Sequence, residues 1–162
     1  MEVKAVRIGY NPESLEWVLR FFMDKEILAA MPDENQNMTS LYDCGKALES
    51  GSSIMYVPLI DDQPVGLFWG SFFGANTIEG HWGVLAKYRK RGVAKACCDA
   101  VFSLLADDFP QVTNVIGQVA KCNIACYAGA LRCGFEVLGT LPSSHWKNGK
   151  IYDSWILRRE IL

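Results

Sequence analysis

Val84-Leu85-Ala86-Lys87-Tyr88-Arg89-Lys90-Arg91-Gly92-Val93-Ala94 is an apolar strand end that runs into a basic, glycine-marked turn and then opens a helix. A helix N-terminus leaves backbone N–H groups without intrahelical partners and carries a partial positive charge, so the turn reads as a cradle for a phosphate. Gly92 lets the backbone approach closely, and Arg89, Lys90 and Arg91 add side-chain charge. Ala94 keeps the next turn of backbone uncovered, while Val93, Ala96, Cys97 and Ala100 follow at small or apolar positions of a helical stretch.

Working outward, Thr77 to Ala86 reads as the strand that feeds the turn, and Val65 to Phe73 as its antiparallel predecessor through Gly74-Ala75-Asn76. Before these, Ile54 to Ile60 is a strand joined to the next by a hairpin at Asp61-Asp62-Gln63-Pro64. The N-terminal part begins with alternation over Val3 to Ile8. A helix follows Asn11-Pro12, with Leu15, Val18, Leu19, Phe22 and Met23 at helical spacing. Pro32 to Asn37 is a polar loop, and a shorter helix is expected over Thr39 to Glu49, stopped by Ser50-Gly51-Ser52.

Downstream, the helix opened at Gly92 is expected to run to about Ala106, with Asp107-Asp108-Phe109-Pro110 ending it. Val112 to Val119 is apolar enough for a central strand, followed by a helix from Asn123 to Cys133. Phe135 to Leu141 and Ile151 to Arg159 close the chain as strands around Lys147-Asn148-Gly149-Lys150. The order β-α-α-β-β-β-α-β-α-β-β predicts a mixed α/β fold: one domain over 1–162, with a mostly antiparallel sheet of about seven strands and about four flanking helices. A chain of 162 residues fits one domain with a substantial core.

The Arg89-Lys90-Arg91-Gly92-Val93-Ala94 turn resembles the Arg/Gln-x-x-Gly-x-Gly/Ala signature of the GCN5-related N-acetyltransferases. A second segment adds to it: Asn123-Ile124-Ala125-Cys126-Tyr127-Ala128-Gly129-Ala130-Leu131-Arg132-Cys133-Gly134-Phe135 resembles the family's Asn-containing helix that ends in Gly-Phe. The resemblance extends over nearly the whole chain, least so in its N-terminal third. It implies acetyl-CoA or another acyl-CoA as cosubstrate, held at Arg89 to Ala94, with backbone groups of Val84 and Ala86 pairing with the pantetheine amides. An N–H near Leu85 is then expected to meet the thioester oxygen, and Asn123 to cap its helix and contact the cosubstrate. The acceptor implied is a primary amine on a small molecule or a protein.

A lysine-type amine is mostly protonated at neutral pH, so attack on a thioester needs a proton acceptor. Glu79 and His81 fall on one face of the strand before the turn and are the candidates. An isolated strand carboxylate or imidazole is more often a structural or solvated group, and both readings stand at this point. The family often takes a proton donor for the departing thiolate from a tyrosine four residues before Gly-Phe; here that position is Ala130. An alanine there resembles the ribosomal-protein and polyamine acetyltransferase branch, as does the late Gly149…Asp153 pattern. Cys126 and Tyr127 share a helical stripe with Asn123 and Ala130, so either could face the sulfur; core packing is the alternative for both. The departure at Ala130 leaves open a catalytically degenerate module that binds CoA or a protein partner.

Trp17, Trp69 and Trp82 read as core residues, whereas Trp146 in the expected 143–147 loop is a candidate wall of an acceptor pocket. Asp33-Glu34 is a solvated loop or an attraction for a cationic amine. A net charge of −2, from 16 basic and 18 acidic residues, argues against a nucleic-acid surface. The six cysteines, Cys44, Cys97, Cys98, Cys122, Cys126 and Cys133, lack zinc-site spacing, and Met1-Glu2-Val3-Lys4 is a poor targeting start. The expectation is therefore reduced thiols, no metal, no membrane span, and a cytoplasmic monomer or homodimer. No Walker or Rossmann glycine pattern supports a nucleotide site of another kind.

Overall fold

A computed structural model describes residues 2–31, 45–46, 49, 53–89 and 92–161. The elements are β1 (Lys4–Arg7), α1 (Pro12–Phe22), α2 (Lys25–Ala30), β2 (Ser53–Ile60), β3 (Gln63–Pro64), β4 (Gly66–Phe72), β5 (Thr77–Val84), a 3₁₀ turn (Ala86–Tyr88), α3 (Val93–Asp108), β6 (Asn114–Ala120), α4 (Ile124–Arg132), β7 (Glu136–Lys147) and β8 (Lys150–Glu160). The 32–37 loop, Asp33-Glu34, Cys44, most of the helix expected over Thr39 to Glu49, and Lys90 and Arg91 lie outside the described residues.

One eight-stranded sheet runs in the order β1-β2-β4-β5-β6-β8-β7, with the short β3 beside β2. Every pairing is antiparallel except β5 with β6. The α/β class and the mostly antiparallel sheet are as expected, with eight strands rather than about seven because Gln63-Pro64 makes its own two-residue bridge.

Strand alternation sends successive side chains to opposite faces and so builds a core on each. On one face Ile54, Tyr56, Phe68, Ile78 and Val115 pack against Cys98, Val101, Phe102 and Leu105 of α3. On the other, Met55, Val57 and Leu67 pack against Leu15, Val18, Phe21 and Phe22 of α1 and Ile27 of α2. Asn11 caps α1 by accepting from the Ser14 N–H at 2.9 Å, with Pro12 at the first turn, as the sequence indicates. The α2 helix was not expected; Asp24 starts it by accepting from the Glu26 and Ile27 N–H groups at 3.0 and 3.1 Å.

Three boundaries differ from expectation for local reasons. β5 ends at Val84, and Ala86 belongs to the 3₁₀ turn, where the Arg89 N–H returns to the Ala86 carbonyl at 3.1 Å. α3 continues to Asp108. β7 extends to Lys147 through a register shift between Leu141 and His145, so the expected 143–147 loop is strand. The turn after it has Asn148 at φ +50° and Gly149 at φ +72°, the doubly left-handed form that suits a tight hairpin.

Candidate functional site

β5 and β6 start side by side and then part. Their parallel register holds only for Thr77 with Asn114, Ile78 with Val115, and Glu79 with Ile116. Beyond that, β5 stays paired with β4 as far as Val84, while β6 stays paired with β8 as far as Ala120. Two glycines mark the parting point. A Cβ on Gly117 would sit 3.1 Å from the Gly80 carbonyl oxygen, tighter than most Cβ contacts, so the strands approach closely there before they diverge.

The backbone of β5 is directional at this opening. Leu85 N–H donates to the Val65 carbonyl at 2.9 Å and Phe73 N–H to the Thr77 carbonyl at 2.8 Å, which turns odd-numbered residues of β5 toward β4. Gly80, Trp82 and Val84 therefore aim their N–H and carbonyl groups at the widening gap. The Val84 carbonyl accepts from Arg89 Nε at 2.8 Å. Of the residues expected along this edge, Ala86 is off the strand and the Leu85 N–H is engaged by Val65. Trp82 and Val84 are the residues with backbone groups on the open edge.

At the end of the gap stands the α3 N-terminus. Gly92 is its N-cap at φ +79°, in the left-handed region, and no side chain of the described residues caps the helix. The first return bond is from the Ala96 N–H to the Gly92 carbonyl at 3.1 Å, so the preceding amides point outward. Val93 is buried against Val65 and Cys97, and Ala94 packs on the α3-side core, so these two offer backbone rather than side chain to the cradle. Arg89 also pairs with Glu26 of α2 at 3.0 Å, and Lys87 lies 4.7 Å over the Tyr88 ring.

Asn123 closes the other wall. Its Oδ1 caps α4 by accepting from the Cys126 N–H at 3.1 Å, and its Nδ2 donates to the Ala30 carbonyl at 3.4 Å. Lys147 Nζ donates to the Leu28 and Met31 carbonyls, serving the C-terminal end of α2 where a cation is favoured. α4 ends at Gly134, φ +84°, with the Phe135 N–H returning to the Ala130 carbonyl at 3.1 Å and the Gly134 N–H to Leu131 at 3.0 Å. This bond pair is the glycine-terminated helix end that gives the Gly-Phe segment its form.

The stripe on α4 is packed. Tyr127 stacks on Trp155 with ring centroids 3.9 Å apart. Cys126 and Tyr127 lie against the cluster of Val119, Ala130 and Leu157. Burial pushes the Cys126 thiol up to about 11, with Cys133 a lesser cause.

Glu79 and His81 share the α1 and α2 face of β5, as alternation requires. His81 lies directly across from Trp69 and stacks on it at 5.4 Å. Burial pulls the His81 pKa down, opposed by Glu79 and assisted by His145. Glu79 accepts from Gln118 Nε2 at 3.4 Å, across the gap just where the strands part. Gln118, Ser144, Ser154 and His145 were not singled out in the sequence, because polar residues on alternating strands carry no spacing signature. Trp17 and Trp69 pack on the α1 side and Trp82 on the α3 side, as expected, while Trp146 is 49% exposed on β7. Among the described residues no cluster of metal-ligating side chains forms, and no helix is long and apolar enough to cross a membrane.

No protein-family model matches the chain, and no curated protein sequence does. Solved structures do. RimL, a ribosomal L7/L12 alpha-N-protein acetyltransferase in complex with coenzyme A, superposes with a TM-score of 0.79 at 15% identity, over 98% of this chain and 94% of that one. AAC(6')-Ib in complex with ribostamycin and coenzyme A gives 0.77 at 15%, over 99% and 94%. Spermidine N-acetyltransferase from Vibrio cholerae in complex with CoA and spermine gives 0.75 at 14%, over 98% and 96%.

Proposed function

We propose that this chain, which has the fold of the GCN5-related N-acetyltransferases, transfers the acetyl group of acetyl-CoA to a primary amine by direct attack in a ternary complex. The observation that carries the reading is the parting of β5 from β6 after Glu79, with the uncapped α3 N-terminus at its end. A gap edged by strand backbone suits an extended, amide-bearing arm, and a left-handed glycine before open helix amides suits a diphosphate. The structural neighbours complexed with CoA support the same reading.

In this reading the backbone of Arg89, Gly92, Val93 and Ala94, with charge from Lys90 and Arg91, holds the diphosphate. Trp82 and Val84 pair with the pantetheine amides. An open-edge N–H of β5 faces the thioester oxygen as negative charge develops, a role the Leu85 N–H cannot take while it serves Val65. Asn123 fixes the start of α4 beside the arm.

The amine must lose a proton to attack. His81 is held neutral by burial and so keeps a lone pair at neutral pH, and Glu79 sits one pleat away at the mouth of the gap. These two take the proton, directly or through water. For the departing sulfur, a Cys126 thiol raised to about 11 is a poor acid toward CoA, whose own thiol lies near about 8.5. Tyr127 is engaged with Trp155. Departure as the thiolate, without a side-chain donor, fits this packing best.

Isothermal titration with acetyl-CoA, followed by thiol release across a panel of amines including spermidine and N-terminal peptides, tests the reading. Saturable heat with amine-dependent thiol release is expected. The residue at Ala130, where the family often has tyrosine, favours a second reading as a CoA-binding module without turnover; heat without thiol release from any amine would select it.

A further inference from the structure

Five side chains from four adjacent strands form one hydrogen-bonded line on the α2 side of the sheet. Gln118 Nε2 donates to Glu79 at 3.4 Å, Ser154 Oγ donates to Gln118 Oε1 at 3.4 Å, Ser144 Oγ lies 2.5 Å from Ser154 Oγ, and His145 Nδ1 lies 3.3 Å from Ser144 Oγ. Ser154 is fully buried, His145 is buried, and Glu79, Gln118 and Ser144 are half-buried.

Proton counting gives it a direction. The Gln118 carbonyl oxygen can only accept, so the Ser154 proton goes to it. Ser144 gives its single proton to the Leu141 carbonyl at 3.2 Å, and its oxygen lies 2.5 Å from Ser154 Oγ. Nothing is left for Ser144 to give the imidazole, so His145 Nδ1 carries a hydrogen and donates. The Ser154 and Gln118 donations then point toward Glu79, and such aligned bonds reinforce one another.

We propose that Gln118 is a positioning residue which, set by Ser154, Ser144 and His145, holds one oxygen of Glu79 and leaves the other aimed into the gap between β5 and β6. The inference rests on the acyl-transfer reading above, in which Glu79 receives the proton of the acceptor amine. Gln118 occupies the first side-chain position on this face of β6 beyond its last register pair with β5. Its amide cannot shuttle a proton readily, but it fixes where the carboxylate stands. Asp153 holds the frame: its carboxylate accepts from the Ser143 N–H at 3.1 Å, at the left-handed residue of the β7 irregularity, and lies 3.4 Å from Lys121 Nζ.

The test combines kinetics with a tautomer measurement on the full chain. Gln118→Leu and Ser144→Ala should lower kcat about tenfold, a part of the roughly 10²–10⁴-fold that general-base catalysis supplies, while KM for acetyl-CoA stays within about twofold. Ser144→Thr, which keeps the hydroxyl at a half-buried site, should restore wild-type kcat. In a Glu79→Gln background, Gln118→Leu should cost nothing further, since a group acting only through Glu79 has nothing left to position. Long-range ¹H–¹⁵N spectra of the wild type should show a hydrogen on His145 Nδ1. Wild-type kcat in folded Gln118→Leu, an additive loss in the double variant, or an Nε2–H tautomer at His145 overturns the inference while leaving acyl transfer intact. A wild type that releases no thiol with any amine overturns both.

Discussion

Replacing Gly92 with aspartate separates the diphosphate cradle from every other use of the turn. Among the described residues beyond its chain neighbours, a Cβ at Gly92 would meet no heavy atom within 4 Å, so there is room for the side chain. The backbone at φ +79° is the left-handed region, which costs an L-residue about 1 kcal/mol, less for aspartate than for most. That cost is shared by Gly92→Ala, which adds the Cβ without the charge. The carboxylate of Gly92→Asp would then stand about 5 Å from a phosphate lodged at the α3 N-terminus. At an effective dielectric constant of about 20 to 40 the repulsion is about 2–3 kcal/mol, or roughly 30- to 150-fold in Kd. Titration calorimetry of CoA against wild type, Gly92→Ala and Gly92→Asp reads this directly, with thermal melts as the folding control. The gap between the alanine and aspartate variants should narrow as salt rises, because the aspartate lies at the surface. A folded Gly92→Asp that binds CoA within threefold of wild type would refute the placement of the diphosphate.

Asn123→Ala removes the α4 cap and the bond to Ala30, and should lower unfolding free energy by about 1 kcal/mol, measured by urea denaturation; an unchanged midpoint would contradict the capping role. Cys126→Ala should keep turnover within about twofold, and in the wild type iodoacetamide should label exposed Cys122 well before Cys126, whose thiol is raised to about 11. A tenfold loss of turnover, or Cys126 labelled first, would restore it as a proton donor. His81 gives a pH signature: its folded pKa lies below the ordinary 6.5, so the unfolded chain takes up its proton first as pH falls. The stability tied to a neutral His81 is whole above 6.5 and is lost as pH drops toward the folded value, so His81→Gln should flatten that part of the denaturation-midpoint profile. An equally steep profile in the variant would show that other groups dominate.

Much of the site was open to sequence reading because short-range chemistry enforces it. The Arg89–Ala94 turn needs a glycine at its left-handed position, the Asn123 cap needs a short acceptor side chain, and Gly134 needs φ +84°; each leaves a residue type at a fixed offset. Glu79 and His81 on one face follow from a period of two alone. The α2 helix escaped because six residues give too little periodicity to register, although Asp24 is an ordinary cap for it. β7 was cut short because Ser143 to Lys147 read as loop, whereas pairing with β8 carries the strand through a register shift to Lys147.

By itself, then, the order of residues determined the alternating faces, the caps, the left-handed glycines and the strand-to-helix turn, all settled within a few residues of chain. Only the tertiary structure decided that β5 leaves β6 after Glu79, that Trp82 and Val84 and not Ala86 present their backbone to the gap, and that Glu79, Gln118, Ser154, Ser144 and His145 meet. Those outcomes depend on which strands become neighbours and where their ladders stop, and residues 118 and 79 are brought together by hydrogen bonds and packing formed across the whole sheet.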